Sequence, residues 1–328
     1  MLSSPHILLT GGTGFFGRAL LRSWAAADKT GARVPSVTVL TRSPVAFLES
    51  HPEFASLPWL EFHLGDMCAA ETLPKHKAFS CVLHAATEST FGPRLKPLAR
   101  YVQIVDGTRN LLQFAVDNGV SRFLLTSSGA IYGPQPAHVE RISEDWSGSP
   151  SLSDPSNAYG LAKRAAEHLC TLYRDAHGLE TIVARCFAFV GRDLPLDVHF
   201  AIGNFIRDAL CSDAIEVAGD GSPLRTYLDQ DDLAHWLTTL LERGCAGQTY
   251  NVGSDEIINI GELAHLVRDI LAPQKPVHIR HLESANAGRN RYVPDIRKAR
   301  DELGLSVCIP LAEAIRRAGE FHRNGGAT

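Results

Sequence analysis

The fold of this chain is decided by residues 6–20, which read HILLTGGTGFFGRAL. The first four residues are a short apolar run, and Leu20, Leu21 and Trp24 recur at helical spacing after the glycines. The sequence therefore predicts a buried strand that runs through a glycine turn into a helix.

Gly11, Gly14 and Gly17 give this turn the GxxGxxG spacing of dinucleotide-binding turns. Glycine permits a tight turn and the close approach of a pyrophosphate, while the amides and the dipole of the new helix attract the anion. The same pattern also occurs in strand-to-helix turns that bind nothing. The prediction of a bound dinucleotide therefore depends on motifs elsewhere in the chain.

Composition is typical of a globular protein with one large or two smaller domains. The chain has 328 residues, a hydrophobic content of 45% and a formal net charge of −4. This charge gives no reason to expect nucleic acid or a membrane surface as a partner. The seven cysteines are scattered without a CxxC pair, which favours reduced thiols, a cytoplasmic location and no metal site.

Short apolar runs alternate with helical stretches through the first half, which predicts a doubly wound parallel sheet covered on both faces. Further strands are predicted at 37–40, 60–64, 81–84, 123–126 and 181–184, and helices at 107–118 and 159–176. Ligands of such sheets bind at the carboxyl ends of the strands. The residues directly after each strand are therefore the candidates for a binding site.

Tyr159 and Lys163 lie four residues apart in a predicted helix and share one face. An ammonium nearby, together with an oxidised nicotinamide, would lower the tyrosine pKa from about 10 toward neutrality, so that the phenol exchanges protons with a carbinol. Ser128 comes two residues after the predicted fifth strand and can hold the same oxygen. A single YxxxK more often marks an ordinary helix, but the combination with the glycine turn favours a redox centre.

These motifs resemble, in order along nearly the whole chain, the extended short-chain dehydrogenases of the NAD(P)-dependent nucleotide-sugar epimerase and dehydratase family. The matching segments are TGGTGFFG at 10–17, GD at 65–66, HAATES at 84–89, SSGAIYG at 127–133, YGLAK at 159–163, GDG at 219–221, DDLA at 231–234, YNVG at 250–253 and DIRKA at 295–299. The resemblance implies a Rossmann-type sheet domain at 1–185 plus about 224–253. A smaller substrate-binding domain would comprise 186–223 and 254–328.

The resemblance also implies roles residue by residue, with Ser128, Tyr159 and Lys163 as the catalytic triad. The residues implied to bind the dinucleotide, besides Tyr159 and Lys163, are Gly11, Thr13, Gly14, Phe15, Phe16, Gly17, Arg42, Asp66, Met67, Ala85, Ala86 and Thr87. Those implied to contact a nucleotide sugar are Glu88, Ser89, Ser128, Asn204, Arg225, Arg289 and Arg291. Planar guanidinium groups suit the oxygens of a diphosphate.

Departures from the family pattern bear on the reaction. Ala188 and Ile104 stand where relatives often place asparagine, which leaves the sugar undefined. Gly129 and Ala130 stand where dehydrating relatives carry an Asp-Glu pair and decarboxylating relatives a glutamate. Eliminating water needs an acid and a base that neither residue supplies. Epimerisation at carbon 4 through a transient 4-keto intermediate is therefore favoured.

Several alternatives stay open. An NADPH-dependent reductase of a nucleotide-linked 4-keto sugar ranks close behind, because it needs the same tyrosine and the same nicotinamide. A nucleotide-sugar dehydratase or decarboxylase, a reductase of a non-sugar carbonyl and a non-catalytic redox sensor come after it. Arg225 argues against the non-sugar ketone, and the intact Tyr159 argues against the sensor.

The end of the predicted second strand, Thr41-Arg42-Ser43, lacks the carboxylate that holds the ribose hydroxyls of NAD. A cation between small hydroxyl side chains suits a 2′-phosphate, so NADP is favoured and NAD is kept open. The family resemblance further implies a homodimer formed by the two helices that flank the fifth strand. The apolar positions assigned to that face are Leu111, Leu112, Ala115, Val116, Ala165, Leu169, Leu172 and Tyr173.

Overall fold

The computed structural model describes residues 5–75, 77–87, 95–198, 200–280 and 290–325. Its helices are α1 (Phe15–Lys29), α2 (Pro44–Ser50), α3 (Pro97–Asp117), α4 (Ala158–His177), α5 (Ala201–Cys211), α6 (Gln230–Arg243), α7 (Ile260–Leu271), α8 (Arg297–Leu303) and α9 (Leu311–Arg323). Its strands are β1 (His6–Thr10), β2 (Ser36–Thr41), β3 (Leu60–Leu64), β4 (Cys81–His84), β5 (Arg122–Ser128), β6 (Glu180–Cys186), β7 (Phe189–Val190), β8 (Ile215–Val217), β9 (Leu224–Arg225), β10 (Leu228–Asp229), β11 (Thr249–Val252), β12 (Ile258–Asn259), β13 (Val277–Ile279) and β14 (Arg291–Tyr292).

The main sheet has seven strands in the order β11-β6-β5-β4-β1-β2-β3. The pairs β1–β2, β2–β3, β1–β4, β4–β5 and β5–β6 are parallel. This confirms the predicted α/β class and its doubly wound, Rossmann-type sheet. The strand order reverses between β1 and β4, which is where such sheets bind their ligands.

The strand predictions agree closely with the structure, whereas one helix start was wrong. β3 and β4 have the predicted bounds, and β2, β5 and β6 extend the predicted runs by one or two residues at each end. The helix predicted to begin at 107 begins at Pro97, a residue that is favoured at the first position of a helix. α4 ends at His177 and is capped by Gly178, whose φ of 71° is left-handed, a conformation that glycine readily adopts.

The core forms between the sheet and α3, which also packs along α4. Leu111, Leu112 and Ala115 are 0% exposed within this core, so they were wrongly assigned to a dimer face. Their burial results from position, because α3 must cover the apolar face of the parallel sheet. The exposed apolar side chains of α3 are Leu98, Tyr101 and Val102.

The chain divides into two compact units. The first comprises Met1–Ile131, Ser149–Cys186 and Ala234–Tyr250, and the second Tyr132–Gly148, Phe187–Leu233 and Asn251–Thr328. The segment that returns to the sheet unit is thus shorter than the predicted 224–253. The reason is that β9 pairs with β12 and β14 in a three-stranded sheet of the second unit.

The second unit is organised by small sheets and by buried polar groups. Its other strand pairs are β7 with β10 and β8 with β13. The Asn251 amide donates to the carbonyls of Ile142 and Asp295 and accepts from the Tyr132 hydroxyl, which ties three segments together. α7 begins with a capping box made by Asn259 and Glu262.

None of the helices in the described ranges combines the length and the apolar character needed to cross a membrane. All seven cysteines carry free thiols.

Candidate active site

The glycine turn lies directly against the backbone after β4. Gly11 has a φ of +73°, and a Cβ there would lie 2.6 Å from the carbonyl carbon and oxygen of Ala85. A Cβ on Gly17 would lie 2.2 Å from the Cα of Gly12. Only glycine fits at these two positions, because backbone atoms occupy the space of a side chain. Gly14, the N-cap of α1, supplies no side chain, which leaves this helix end suited to a pyrophosphate.

A buried chain of hydrogen bonds fixes His84 at the end of β4. The Thr108 hydroxyl donates to the Ile104 carbonyl at 2.7 Å, so it accepts from Nε2 of His84, 3.2 Å away. Thr10 Oγ1 accepts from the Ala86 amide, and the Thr10 hydroxyl donates to Nδ1 of His84 at 2.8 Å. Each hydroxyl has one proton to donate, so His84 carries its hydrogen on Nε2. Burial lowers the pKa of His84 to about 3 and keeps the ring neutral.

This chain of hydrogen bonds holds the segment that is predicted to pass under the nicotinamide. Thr10 binds the Ala86 amide, and Lys163 Nζ donates to the Thr87 hydroxyl at 2.6 Å. Ala85, Ala86 and Thr87 are therefore fixed from β1 and from α4 together. A segment anchored on two sides is a rigid floor for a ligand.

The three predicted catalytic residues come together in the first unit. Ser128 is the last residue of β5, and Tyr159 lies in the first turn of α4. The Tyr159 hydroxyl is hydrogen-bonded to the Ser128 side chain. Lys163, 2% exposed, donates to the Thr87 hydroxyl and to the Thr126 carbonyl, the latter at 2.7 Å.

Burial raises the pKa of the Tyr159 phenol above its ordinary value. The hydrogen bond from Ser128 and the Arg100 guanidinium oppose this effect, and the Cys186 thiol adds to it. Burial also lowers the pKa of Lys163 to about 8. The protein groups alone therefore do not lower the pKa of Tyr159 toward neutrality, because desolvation of the phenolate has the larger effect.

Two residues near the triad were not found from the sequence. Arg100 in α3 lies with its Cζ 5.3 Å from the centroid of the Tyr159 ring. Glu167 in α4 accepts from the Ser127 hydroxyl at 2.5 Å and pairs with Arg185 at 2.8 Å. Glu167 comes four residues after Lys163, so one more step of helical spacing would have identified it.

Replacing Glu167 with alanine is expected to lower the free energy of unfolding by about 3 kcal/mol, because it breaks an ion pair whose two side chains are both largely buried. Urea denaturation monitored by circular dichroism measures the loss. The matched control is Glu180→Ala, which breaks the more exposed pair with Arg122 and should stay within about 1 kcal/mol of wild type. Equal losses in the two variants would contradict this prediction.

The residues predicted to bind the adenosine half of the dinucleotide come after β2 and β3. Arg42 is exposed directly after β2, beside Thr41. Asp66 accepts from the Cys68 amide at 2.9 Å, which shapes the turn after β3. The side chain of Met67 is buried in the core against Gly107, so only its backbone remains for a ligand.

The residues predicted to contact the sugar nucleotide are distributed differently. Glu88, Ser89 and Arg289 lie outside the described residues. Asn204 is on α5 of the second unit and accepts from Arg207 at 3.3 Å. Arg225 and Arg291 lie on the paired strands β9 and β14 of that unit, with Arg291 opposite Leu224. Nη1 of Arg225 donates to the carbonyls of Leu224 and Asn290 at 2.8 and 3.0 Å.

A glycine turn at the switch point of a parallel sheet, with serine, tyrosine and lysine beside it, defines a dinucleotide-dependent enzyme of the extended short-chain dehydrogenase type. The model of the NAD dependent epimerase/dehydratase family matches residues 7–253. The chain belongs to this family. Proteins similar to this chain include nucleotide-sugar epimerases, dehydratases and decarboxylases.

Similar curated proteins cover almost the whole chain. UDP-glucuronic acid decarboxylase 1 of Danio rerio is 29% identical over 96% of this chain and 72% of its own length. The dTDP-glucose 4,6-dehydratase of Streptomyces griseus is 26% identical over 95% of this chain and 92% of its own length.

Solved structures with the same fold differ in their reactions and cofactors. DesIV, a dTDP-glucose 4,6-dehydratase of Streptomyces venezuelae with NAD bound, superposes with a TM-score of 0.82 at 26% identity, covering 98% and 97% of the two chains. RMD of Pseudomonas aeruginosa, complexed with NADPH, gives 0.79 at 25% identity, covering 98% and 100%. A UDP-glucose 4-epimerase of Thermotoga maritima gives 0.80 at 22% identity, covering 97% and 99%.

Proposed function

We propose that this protein epimerises carbon 4 of a nucleotide-linked sugar with NAD(P), through a transient 4-keto intermediate. The observation that carries the proposal is the pair Gly129 and Ala130, directly after Ser128. Neither residue has a group that can abstract a carbon-bound proton or protonate a leaving hydroxyl. Oxidation and re-reduction at one carbinol need neither group.

The residues of the site fit a dinucleotide, since Gly11 and Gly17 leave no room for side chains beside the amino end of α1. The glycine turn and residues 85–87 would hold the dinucleotide, which would supply hydride transfer from carbon 4 and back to its opposite face. Tyr159 would remove the proton of the carbon-4 hydroxyl and later restore it. Ser128 would hold that oxygen through its hydroxyl, and Lys163 would stabilise the anionic tyrosine.

The position of Tyr159 favours this proton exchange. The residue lies in the first turn of α4, where the positive end of the helix dipole stabilises a negative charge. Ser128 Oγ accepts from the Ala130 amide at 3.1 Å, so its hydroxyl proton remains for the Tyr159 or substrate oxygen. This arrangement supports a proton relay at a single oxygen.

Arg225 and Arg291 are the cations that we assign to the diphosphate of the substrate, with Asn204 as a polar contact. The two arginines lie on neighbouring strands of the second unit. Arg225 is half-buried and its Nη1 is held by two backbone carbonyls, which fixes the guanidinium plane. A fixed guanidinium binds two phosphate oxygens at little entropic cost. Glu88, Ser89 and Arg289 remain further candidates from the family resemblance.

The reaction is tested by incubating the protein, a catalytic amount of NAD or NADP and single nucleotide sugars in heavy water. UDP-glucose, UDP-N-acetylglucosamine, UDP-glucuronic acid and dTDP-glucose form the panel. We expect a 4-epimer without solvent deuterium on carbon, formed on the order of a thousandfold more slowly by Tyr159→Phe. Deuterium at carbon 5 of a 6-deoxy-4-keto product, or loss of the carboxyl group of UDP-glucuronic acid, would contradict epimerisation.

Reduction of a nucleotide-linked 4-keto sugar is the second candidate, and Arg42 favours it. An epimerase regenerates its cofactor in each turnover, whereas a reductase exchanges NADPH. A basic residue after β2 suits the 2′-phosphate of NADPH. Loss of one NADPH for each 4-keto sugar consumed would establish the reductase.

NADP is expected to bind about tenfold more tightly than NAD, because one charge-assisted contact to the 2′-phosphate contributes about this factor to the affinity. Arg42→Ala should remove this preference by weakening NADP and leaving NAD unchanged. Quenching of tryptophan fluorescence measures both affinities. Arg33→Ala, which removes an exposed charge after α1, is the control. Equal or tighter binding of NAD by the wild type would overturn the preference.

We propose a homodimer formed through the exposed positions of α3 and α4. The positions of α3 that are buried in the core are not part of this interface. Leu98 on α3 and Leu172 on α4 are 74% and 48% exposed. Light scattering at micromolar concentration should give the mass of a dimer, and Leu98→Arg with Leu172→Arg should shift it toward the monomer. The control is Leu152→Arg, at a side chain 85% exposed outside both helices. A monomeric wild type would contradict the proposal.

A further inference from the structure

Arg100 contacts the ring of Tyr159 from a different element of the fold. Its Cζ lies 5.3 Å from the ring centroid, within the range of a cation–π interaction. Tyr159 is in the first turn of α4, and Arg100 is in the first turns of α3. The side chain of Arg100 is half-buried, so this contact is partly shielded from water.

The position of Arg100 within α3 is unfavourable for a cation. α3 begins at Pro97, and the positive end of its dipole therefore lies close to the guanidinium. The negative face of the Tyr159 ring, and the charge of the phenolate when it forms, offset the repulsion.

Three described groups act on the Tyr159 phenol from the elements around it. They are the Ser128 hydroxyl on β5, the Cys186 thiol on β6 and the Arg100 guanidinium on α3. The Lys163 ammonium comes one turn further along α4. Lys163 is already bound to Thr87 and to the Thr126 carbonyl. Burial lowers the pKa of Lys163 to about 8, so its charge is partly lost in mildly alkaline solution.

Arg100 differs from Lys163 in this respect, because a guanidinium keeps its charge throughout the working range of enzymes. Its effect on Tyr159 is in the same direction as that of the Ser128 hydrogen bond, since both lower the pKa of the phenol against the effect of burial. The protein thus places a permanent cation beside a phenol that burial would otherwise keep protonated.

We propose that Arg100 is a positioning residue that orients the Tyr159 ring and stabilises the negative charge of its phenolate. The inference rests on the proposed role of Tyr159 in proton exchange. It adds that the cation acting on the phenol comes from α3 as well as from the lysine of the YxxxK motif. Removing Arg100 should therefore shift the ionisation of Tyr159 to higher pH.

The test places 3,5-difluorotyrosine, a more acidic analogue, at position 159 and monitors its ionisation by fluorine NMR in the full-length protein. Arg100→Gln and Arg100→Met should each raise the titration midpoint by about one pH unit, as expected for a charge at this distance in a partly shielded site. Arg100→Lys keeps the positive charge, so its titration midpoint should lie close to that of wild type. Arg243→Gln removes an exposed arginine from the last turn of α6 and should leave the midpoint unchanged.

Two neutral variants are used so that the titration can be measured in one of them if the other does not fold. A midpoint equal to that of wild type in Arg100→Gln or Arg100→Met would overturn the proposal. A structural role alone would lower the thermal midpoint of unfolding without moving the titration. The measurement needs no substrate, so its failure is distinguishable from failure of the epimerase proposal, which would appear as missing product with the fluorine shifts intact.

Discussion

Replacing Tyr159 with phenylalanine is expected to lower turnover by on the order of a thousandfold, the usual contribution of a general acid–base group. The ring is retained, so its contact with Arg100 and the start of α4 should persist. The fold and the affinity for the dinucleotide should therefore be those of wild type. Turnover is measured with the nucleotide sugar that the heavy-water panel identifies.

A matched control is available on the same helix. Tyr173→Phe also removes one phenolic hydroxyl, which donates to the Gln113 side chain at 3.1 Å on the surface. This variant should turn over at the wild-type rate. If Tyr159→Phe retained activity within a factor of two of wild type, Tyr159 would have no role in proton exchange.

Gly17→Ala is expected to lower dinucleotide affinity at least a hundredfold, or about 2.7 kcal/mol of binding free energy. The new Cβ would lie 2.2 Å from the Gly12 Cα and 2.4 Å from the Gly11 carbonyl oxygen. Both neighbours are backbone, so the turn must move away from the position that a pyrophosphate requires. The unfolding free energy should fall by about 3 kcal/mol, at the upper end for overpacking.

Gly14→Ala is the control for this effect of the glycine turn. A Cβ at Gly14 would lie 3.5 Å from its nearest neighbour, the Gly11 carbonyl oxygen, which is an ordinary contact. The variant should lose at most about 1 kcal/mol of stability, from alanine at the N-cap, and denaturation compares the two variants. Wild-type affinity in Gly17→Ala would show that the turn does not approach the cofactor.

How far the sequence predicts this protein depends on how local each signal is. The strand ends and the glycine turn were predictable because short apolar runs and glycine spacing are properties of neighbouring residues. The first part of α3 was missed because Leu98, Tyr101 and Val102 are apolar yet exposed. That pattern does not match the amphipathic spacing of a helix that covers a sheet.

The candidate site divides in the same way. Tyr159 and Lys163 share a helix and were found by their spacing, and Glu167 could have been found with them. The contact of Arg100 with Tyr159 depends on how α3 packs along α4, which no local pattern contains. The hydrogen bond between Thr10 and His84 joins residues separated by 74 positions in sequence. Such contacts become visible only when the strand order is known.

The buried, neutral His84 makes the folded protein sensitive to acid. In the unfolded chain this histidine takes up a proton near its ordinary pKa of about 6.5, whereas the folded pKa is about 3. Between these values the unfolded state binds one proton more, so stability falls with decreasing pH at about 1.4 kcal/mol per unit. The same hydrogen bonds that hold the floor of the site thus set an acid limit on the fold.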